Sequence, residues 1–132
     1  MRYLLDTNIV SDLVRNPQGR VTERIRKVGE TQVCTSIIVA AELRYGGIKK
    51  GSPRLTAQLA SILGALEILP LESPVDITYG ELRAHLEQRG KLIGANDLLI
   101  AAQAVTLRLV LVTDNEREFS RIDGLDFENW LR

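Results

Sequence analysis

The hydrophobic positions of the chain change period again and again, and each change marks an element. Tyr3–Leu5 is a short apolar run that stops at Asp6, as a buried strand would. Ile9 to about Arg15 predicts a helix, ended by Asn16-Pro17. Val21, Ile25 and Val28 sit at i, i+4 and i+7 and predict a second amphipathic helix. Val33–Thr35 predicts the next strand, and Ser36 is placed to cap a helix running through Glu42 towards Gly46-Gly47. Gly51-Ser52-Pro53 breaks the chain and opens a helix with Leu55, Leu59, Ile62 and Leu66 on one face. Glu67 to Leu71 holds a short strand, whose Pro70 marks its end or a sheet edge. Ser73-Pro74 opens a helix striped by Val75, Tyr79, Leu82 and Leu86 and closed by Gly90.

Gly94-Ala95-Asn96-Asp97 then leads into LLIAAQAV, apolar almost all round and so buried in the core or at a subunit contact. Leu109–Val112 is continuous and apolar, the pattern of a central parallel strand covered on both faces. Thr113-Asp114-Asn115 ends it. A short acidic helix around Phe119 and an edge strand near Asp126–Glu128 follow. This alternation predicts an α/β fold with a mainly parallel sheet of four to five strands, in one domain over residues 1–132.

Composition narrows the reading by exclusion. No apolar run approaches the length that spans a bilayer, and the start lacks the basic-then-apolar order of a secretory leader. Cys34 is the only cysteine and lies in an apolar stretch, so neither an internal disulfide nor a thiol–imidazole zinc site is available. These features point to the cytoplasm and away from a membrane. The formal net charge is zero, which argues against a general coat for nucleic acid, but the charge is unevenly placed. From Arg15 to Arg54 there are nine basic residues against three acids. That flank permits a polyanionic substrate, although any one of these side chains is also explained as the solvated face of a helix.

Four acids fall where strands meet the edge of the sheet. Asp6 ends the first strand, Glu42 lies within two turns of the helix after the second, Asp97 opens the apolar helix, and Asp114 follows the last long strand. Taken singly, each has an ordinary explanation as a cap, a turn or a solvated side chain. Taken together, they stand where open parallel sheets bind ligands, outside the carboxyl ends of the strands. Clustered carboxylates repel one another unless a cation lies among them, and oxygen donors alone favour Mg²⁺ or Mn²⁺. The only histidine, His85, lies in a polar stretch and reads as a surface residue, so RNA cleavage by a pair of histidines is closed.

Four stretches carry a family resemblance: YLLDTNIV at Tyr3–Val10, SIIVAAELRYG at Ser36–Gly46, IGANDLLIAA at Ile93–Ala102 and LVTDNEREF at Leu111–Phe119. In this order and spacing they resemble the PIN-domain ribonucleases, and within them the VapC-type toxins, over essentially the whole chain. The resemblance implies a three-layer α/β/α fold and an endoribonuclease dependent on Mg²⁺ or Mn²⁺. Asp6, Glu42 and Asp97 match the family's acidic triad, with Asp6 and Asp97 as the implied metal ligands. At the fourth corner Asp114 supplies the carboxylate, while Asn115 occupies the position where similar proteins carry Asp or Asn. Both readings stay open. Asn8 and Thr113 resemble the polar residues that orient the acids.

The resemblance further implies a homodimer silenced by a VapB-type antitoxin within a larger complex. Operator DNA would be bound only through the antitoxin. Structured RNA is the implied substrate, tRNA first and rRNA second, with Arg44, Lys49, Lys50 and Arg54 as candidate phosphate contacts. Leu98, Leu99 and the Ile37–Ala41 region are candidate apolar contact surfaces, explained equally well by core packing. Two other readings compete. Some metal-dependent phosphatases on similar scaffolds place a second acid two residues after the first, but that position is Asn8 here. A PIN-like RNA-binding module without catalysis would lack the acids, yet the three best-placed ones are present.

Overall fold

A computed structural model describes residues 2–132. Strands β1 (Tyr3–Leu5), β2 (Val33–Ser36), β3 (Glu67–Leu69), β4 (Val110–Val112) and β5 (Phe127–Glu128) form one sheet in the order β3-β2-β1-β4-β5. Every pairing is parallel. Helices α1 (Thr7–Arg15), α2 (Arg20–Val28), α3 (Ile37–Lys50), α4 (Pro53–Ala65), α5 (Val75–Gln88), α6 (Ala95–Leu107) and α7 (Glu116–Phe119) fill the connections. The chain steps outward from β1 to β2 and β3, then returns to the other side of β1 with β4 and continues to β5. Strand order therefore reverses between β1 and β4. Because parallel crossovers are right-handed, the two halves carry their helices on opposite faces, which makes three layers.

The strands are short and the core is made by what covers them. Leu4, Leu5, Cys34 and Leu111 are fully buried, as are Ile9 and Val10 of α1 and Ile100, Ala101 and Ala104 of α6. Leu5 is registered between Thr35 and Val112, so β1 is the middle strand. The sequence pattern pointed instead to the last long strand as central. β4 lies one place out, but α6 and β5 cover it and Val110–Val112 are all buried. The apolar run reports burial on both faces, which both strands share, and not the place in the sheet.

Two helix ends differ from the sequence pattern. α3 does not stop at Gly46-Gly47 but runs to Lys50, where Gly51 closes it in the left-handed region at φ 64°. Gly47 serves packing: a Cβ there would lie 3.2 Å from Leu59 Cδ1 of α4. α6 is capped by Gly94 without a side-chain hydrogen bond, so Asn96 and Asp97 are not its cap and Asp97 is its third residue. At the other end of the chain, Trp130 is buried beside Tyr3, ring centroids 5.2 Å apart, with Arg24 over its face. Its Nε1 donates to Glu128 at 3.0 Å, and Arg24 Nη2 donates to the same carboxylate at 3.2 Å, which ties β5 to α2. No helix among the described residues is long and apolar enough to cross a membrane.

Candidate functional site

Asp6 continues the ladder of β1 by donating its backbone N–H to Val112 O at 2.9 Å. Its side chain then faces two ways. Oδ1 accepts from Thr7 N–H at 2.8 Å and caps α1, while Oδ2 accepts from the Thr113 hydroxyl at 2.7 Å. The cap and the cleft residue are thus the same carboxylate. Asp6 is only 4% exposed, and that burial raises its pKa. The hydrogen bonds from Thr113 and Thr7 pull the other way, and the charges of Glu42 and Glu118 push it up further.

Glu42 reaches the same place from the sixth position of α3, where its Oε1 accepts from the Thr7 hydroxyl at 2.9 Å. Asp97 reaches it from the first turn of α6, where the helix N-terminus favours negative charge. Opposite stands Asn115, whose Nδ2 donates to Glu118 Oε2 at 2.6 Å and, more loosely, to Asp97 Oδ2 at 3.4 Å. Asp97 is pushed up to about 7, first by burial, then by a hydrogen bond shared with Glu118 and by the charges of Asp6, Glu118 and Glu42. Glu118 moves down, chiefly through that same bond to Asp97. The two carboxyls are thus driven in opposite directions, Asp97 up and Glu118 down.

At the fourth corner the two candidate residues face opposite ways. Thr113 faces Asp6, and Asp114 faces away: it is exposed and its Oδ1 accepts from Asn129 Nδ2 at 3.0 Å. Asn115 comes back to the Thr113 side and donates its N–H to the Thr113 hydroxyl at 3.0 Å. Asp6, Asn8, Glu42, Asp97 and Asn115 line one open cleft of about 320 Å³, together with Thr7, Ser11 and Arg15. Asp114 does not line it. Asn8 accepts from the Asp114 N–H at 3.4 Å and so steadies the turn after β4.

Known proteins match this chain throughout. Residues 3–125 fit the family model of the PIN domain. Ribonuclease VapC2 of Rickettsia felis is 41% identical over 132 residues, 98% of either chain. The chain belongs to the PIN-domain family, in its VapC branch. A second VapC relative, the tRNA(fMet)-specific endonuclease VapC of Salmonella typhimurium, is 34% identical over 131 residues, again 98% of each. In three dimensions the chain superposes with a TM-score of 0.91 on a crystal structure of VapBC2 from Rickettsia felis bound to a DNA fragment from their promoter. That match has 38% identity and covers 98% of this chain and 99% of the other.

Within the VapC frame, sequence alone does not single out Thr7 and Ser11 of the cleft, nor Glu118 behind Asn115. Glu118 sits on a four-residue acidic helix that reads as solvated surface, and only the Asn115 bond reveals it. Thr7 and Ser11 follow Asp6 at i+1 and i+5, a polar stripe on α1 that helical spacing exposes once the face is known. Arg15, which the sequence shows only as part of the basic flank, lines the cleft as well. Of the candidate phosphate contacts, Lys50 lines a pocket beside the cleft, while Arg44, Lys49 and Arg54 are exposed and line neither. Lys49 lies over the Tyr45 ring at 5.9 Å. Leu98, Val39 and Ala40 are core residues, whereas Ile37 and Ala41 face outward. His85 is exposed, with Nε2 3.6 Å from Asp123.

The donor set suits a hard divalent cation. It offers carboxylate and amide oxygens with no thiol or imidazole, and the carboxylates raise one another's pKa as charges lacking a counter-ion do. Among the described residues no group of three acidic side chains is gathered closely enough to hold an ion by itself. An open shell fits Mg²⁺, which keeps several waters and takes one or two carboxylates together with substrate phosphate.

Proposed function

We propose that this VapC-branch protein is a metal-dependent endoribonuclease and the toxin of a toxin–antitoxin pair. The observation that carries the reading is the convergence of Asp6, Glu42, Asp97 and Asn115 from four separate segments at the point where strand order reverses. Asp6 and Asp97 are the proposed ligands of Mg²⁺ or Mn²⁺, with Glu118 as a third oxygen donor in the place given to Asp114 by sequence. When bound, the ion supplies charge neutralisation on the phosphate and a more acidic water. Thr113 fixes Asp6, Asn115 aligns Asp97 with Glu118, and Thr7 holds Glu42. Glu42 takes the proton of the attacking water as the new P–O bond forms and the bond to the 3′ oxygen breaks, and that oxygen takes its proton from solvent water. The products are a 5′-phosphate and a 3′-hydroxyl.

The Salmonella relative's name supports tRNA as the substrate class, ahead of rRNA. The Rickettsia complex supports a VapB-type antitoxin as partner and contact with operator DNA through that antitoxin. A homodimer in the cytoplasm completes the reading. The full chain is incubated with total bacterial RNA in Mg²⁺ or Mn²⁺, and new 5′ ends are mapped. Discrete cuts bearing 5′-phosphate, lost in EDTA and in Asp6→Ala, are expected. A parent protein that cuts no RNA, or an Asp6→Ala variant that cuts as well as the parent, overturns the reading. Turnover of a small phosphate ester in place of RNA would point to the phosphatase alternative.

A further inference from the structure

A second depression opens directly from the acidic cleft and shares four residues with it: Thr7, Ser11, Arg15 and Glu42. Two helix faces form its walls. On α1, Thr7, Ser11 and Arg15 are four residues apart; on α3, Glu42, Gly46 and Lys50 repeat the same spacing. Each stripe starts at the acids and ends on a cation about 12 Å further along its helix. The floor is apolar, made by Val14, Leu43, Leu55 and Leu59. Its volume is about 250 Å³, the scale of one planar base and not of a folded element. Gly46 keeps the wall open, since a Cβ there would meet nothing within 4 Å. Among the described residues neither Arg15 nor Lys50 forms an ion pair.

We propose that this pocket is a nucleotide subsite: the base of a residue flanking the scissile bond enters between α1, α3 and α4, and Arg15 and Lys50 hold its phosphate. The inference rests on the RNA-cleavage reading and adds a direction to it. The acids at one end suit the cation and the phosphate being cut. Arg15 lines both depressions and Lys50 only the second, so the pair is placed to hold the phosphate next to the one being cut. An apolar floor beneath two uncommitted cations matches an unpaired nucleotide, which presents a π-face and one negative charge. Charge complementarity and continuity with the cleft favour RNA over a protein segment as occupant.

The test uses the full chain on total bacterial RNA in Mg²⁺, with the initial rate followed against RNA concentration. Gly46→Leu fills the pocket from a position with free space in a helix that leucine favours, so the fold survives it. Arg15→Ala with Lys50→Ala removes the phosphate contacts. Each should raise KM by about tenfold, the scale of one lost base-stacking or phosphate contact, while kcat stays within about threefold. Arg15→Lys should restore most of the loss. Lys27→Ala, which removes a charge on exposed α2, should leave KM where it is. If the parent cuts RNA but Gly46→Leu and the double variant keep its KM, the subsite is wrong and the nuclease reading stands. If Lys27→Ala raises KM equally, the effect is general attraction and the subsite falls. If Gly46→Leu loses only its hold on a protein partner, the pocket belongs to that partner. A parent that cuts no RNA removes both proposals.

Discussion

The raised pKa of Asp97 makes the cleft sensitive to pH. Asp97 titrates near 7 in the folded protein against 3.8 for a free side chain. Between those values the folded state holds a proton that the unfolded chain has released, so stability falls as pH rises through that window. Asp97→Asn cannot ionise. In EDTA, its melting temperature should therefore gain on the parent's between pH 5 and pH 7.5, and calorimetry at the two values checks this. The same proton competes with a cation, so the affinity for Mn²⁺ should climb with pH and level off above about 7, measured by calorimetric titration. For RNA cleavage, Asp6→Ala and Asp97→Ala should lose at least about a hundredfold in kcat/KM, as expected for metal ligands. Glu118→Gln should lose more than Asp114→Ala, because Asn115 ties Glu118 to Asp97 while Asp114 bonds Asn129 outside the cleft. Asp6, Glu42 and Asp97 were legible as cleft residues because each lies in a recognisable motif, Asp6 after a strand, Asp97 in the first turn of a helix and Glu42 in the second turn of another. Glu118 was not, because its short helix has no period to read and its role exists only through Asn115.

Neighbouring glycines show how one helix serves two surfaces. Gly46 and Gly47 resemble a stop signal, yet α3 passes through both. Gly47 lies against α4, with Leu59 Cδ1 and Thr56 Oγ1 3.2 and 3.4 Å from where a Cβ would stand. Gly46 faces open space. The two positions should answer oppositely to added side chains. Gly46→Ala should stabilise the protein by about 0.5–1 kcal/mol, by lowering the entropy of the unfolded chain and raising helix propensity. Gly47→Leu should cost about 1–3 kcal/mol by forcing α3 and α4 apart. Urea denaturation of both variants against the parent gives the signs directly. A helix C-terminus cannot be told from a close helix contact in sequence alone, because both demand glycine. The true end is marked at Gly51, where φ is positive and Ser52-Pro53 start the next helix, with Ser52 Oγ accepting from the Leu55 N–H.

At the scale of the whole molecule the charge is balanced but directional. α/β alternation was readable because each strand and helix keeps its own hydrophobic period. The reversal of strand order was not, since no local pattern records which strand lies next to β1. That reversal is what gathers Asp6, Glu42, Asp97 and Asn115 into one cleft, while α1 and α3 leave it side by side and carry Arg15 and Lys50 to the far end. A neutral protein of this kind should bind RNA through a few placed contacts and not through an electrostatic coat. Single-strand affinity falls with salt at a logarithmic slope of about −0.7 per phosphate held, so two contacts at Arg15 and Lys50 account for about −1.4. RNA binding measured in EDTA across a potassium chloride series should therefore show a shallow slope, and removing both cations should flatten it by about that amount. A steep slope that survives the double substitution would place the phosphate contacts elsewhere on the basic flank. The exposed Arg44, Lys49 and Arg54 would then be the side chains to remove next.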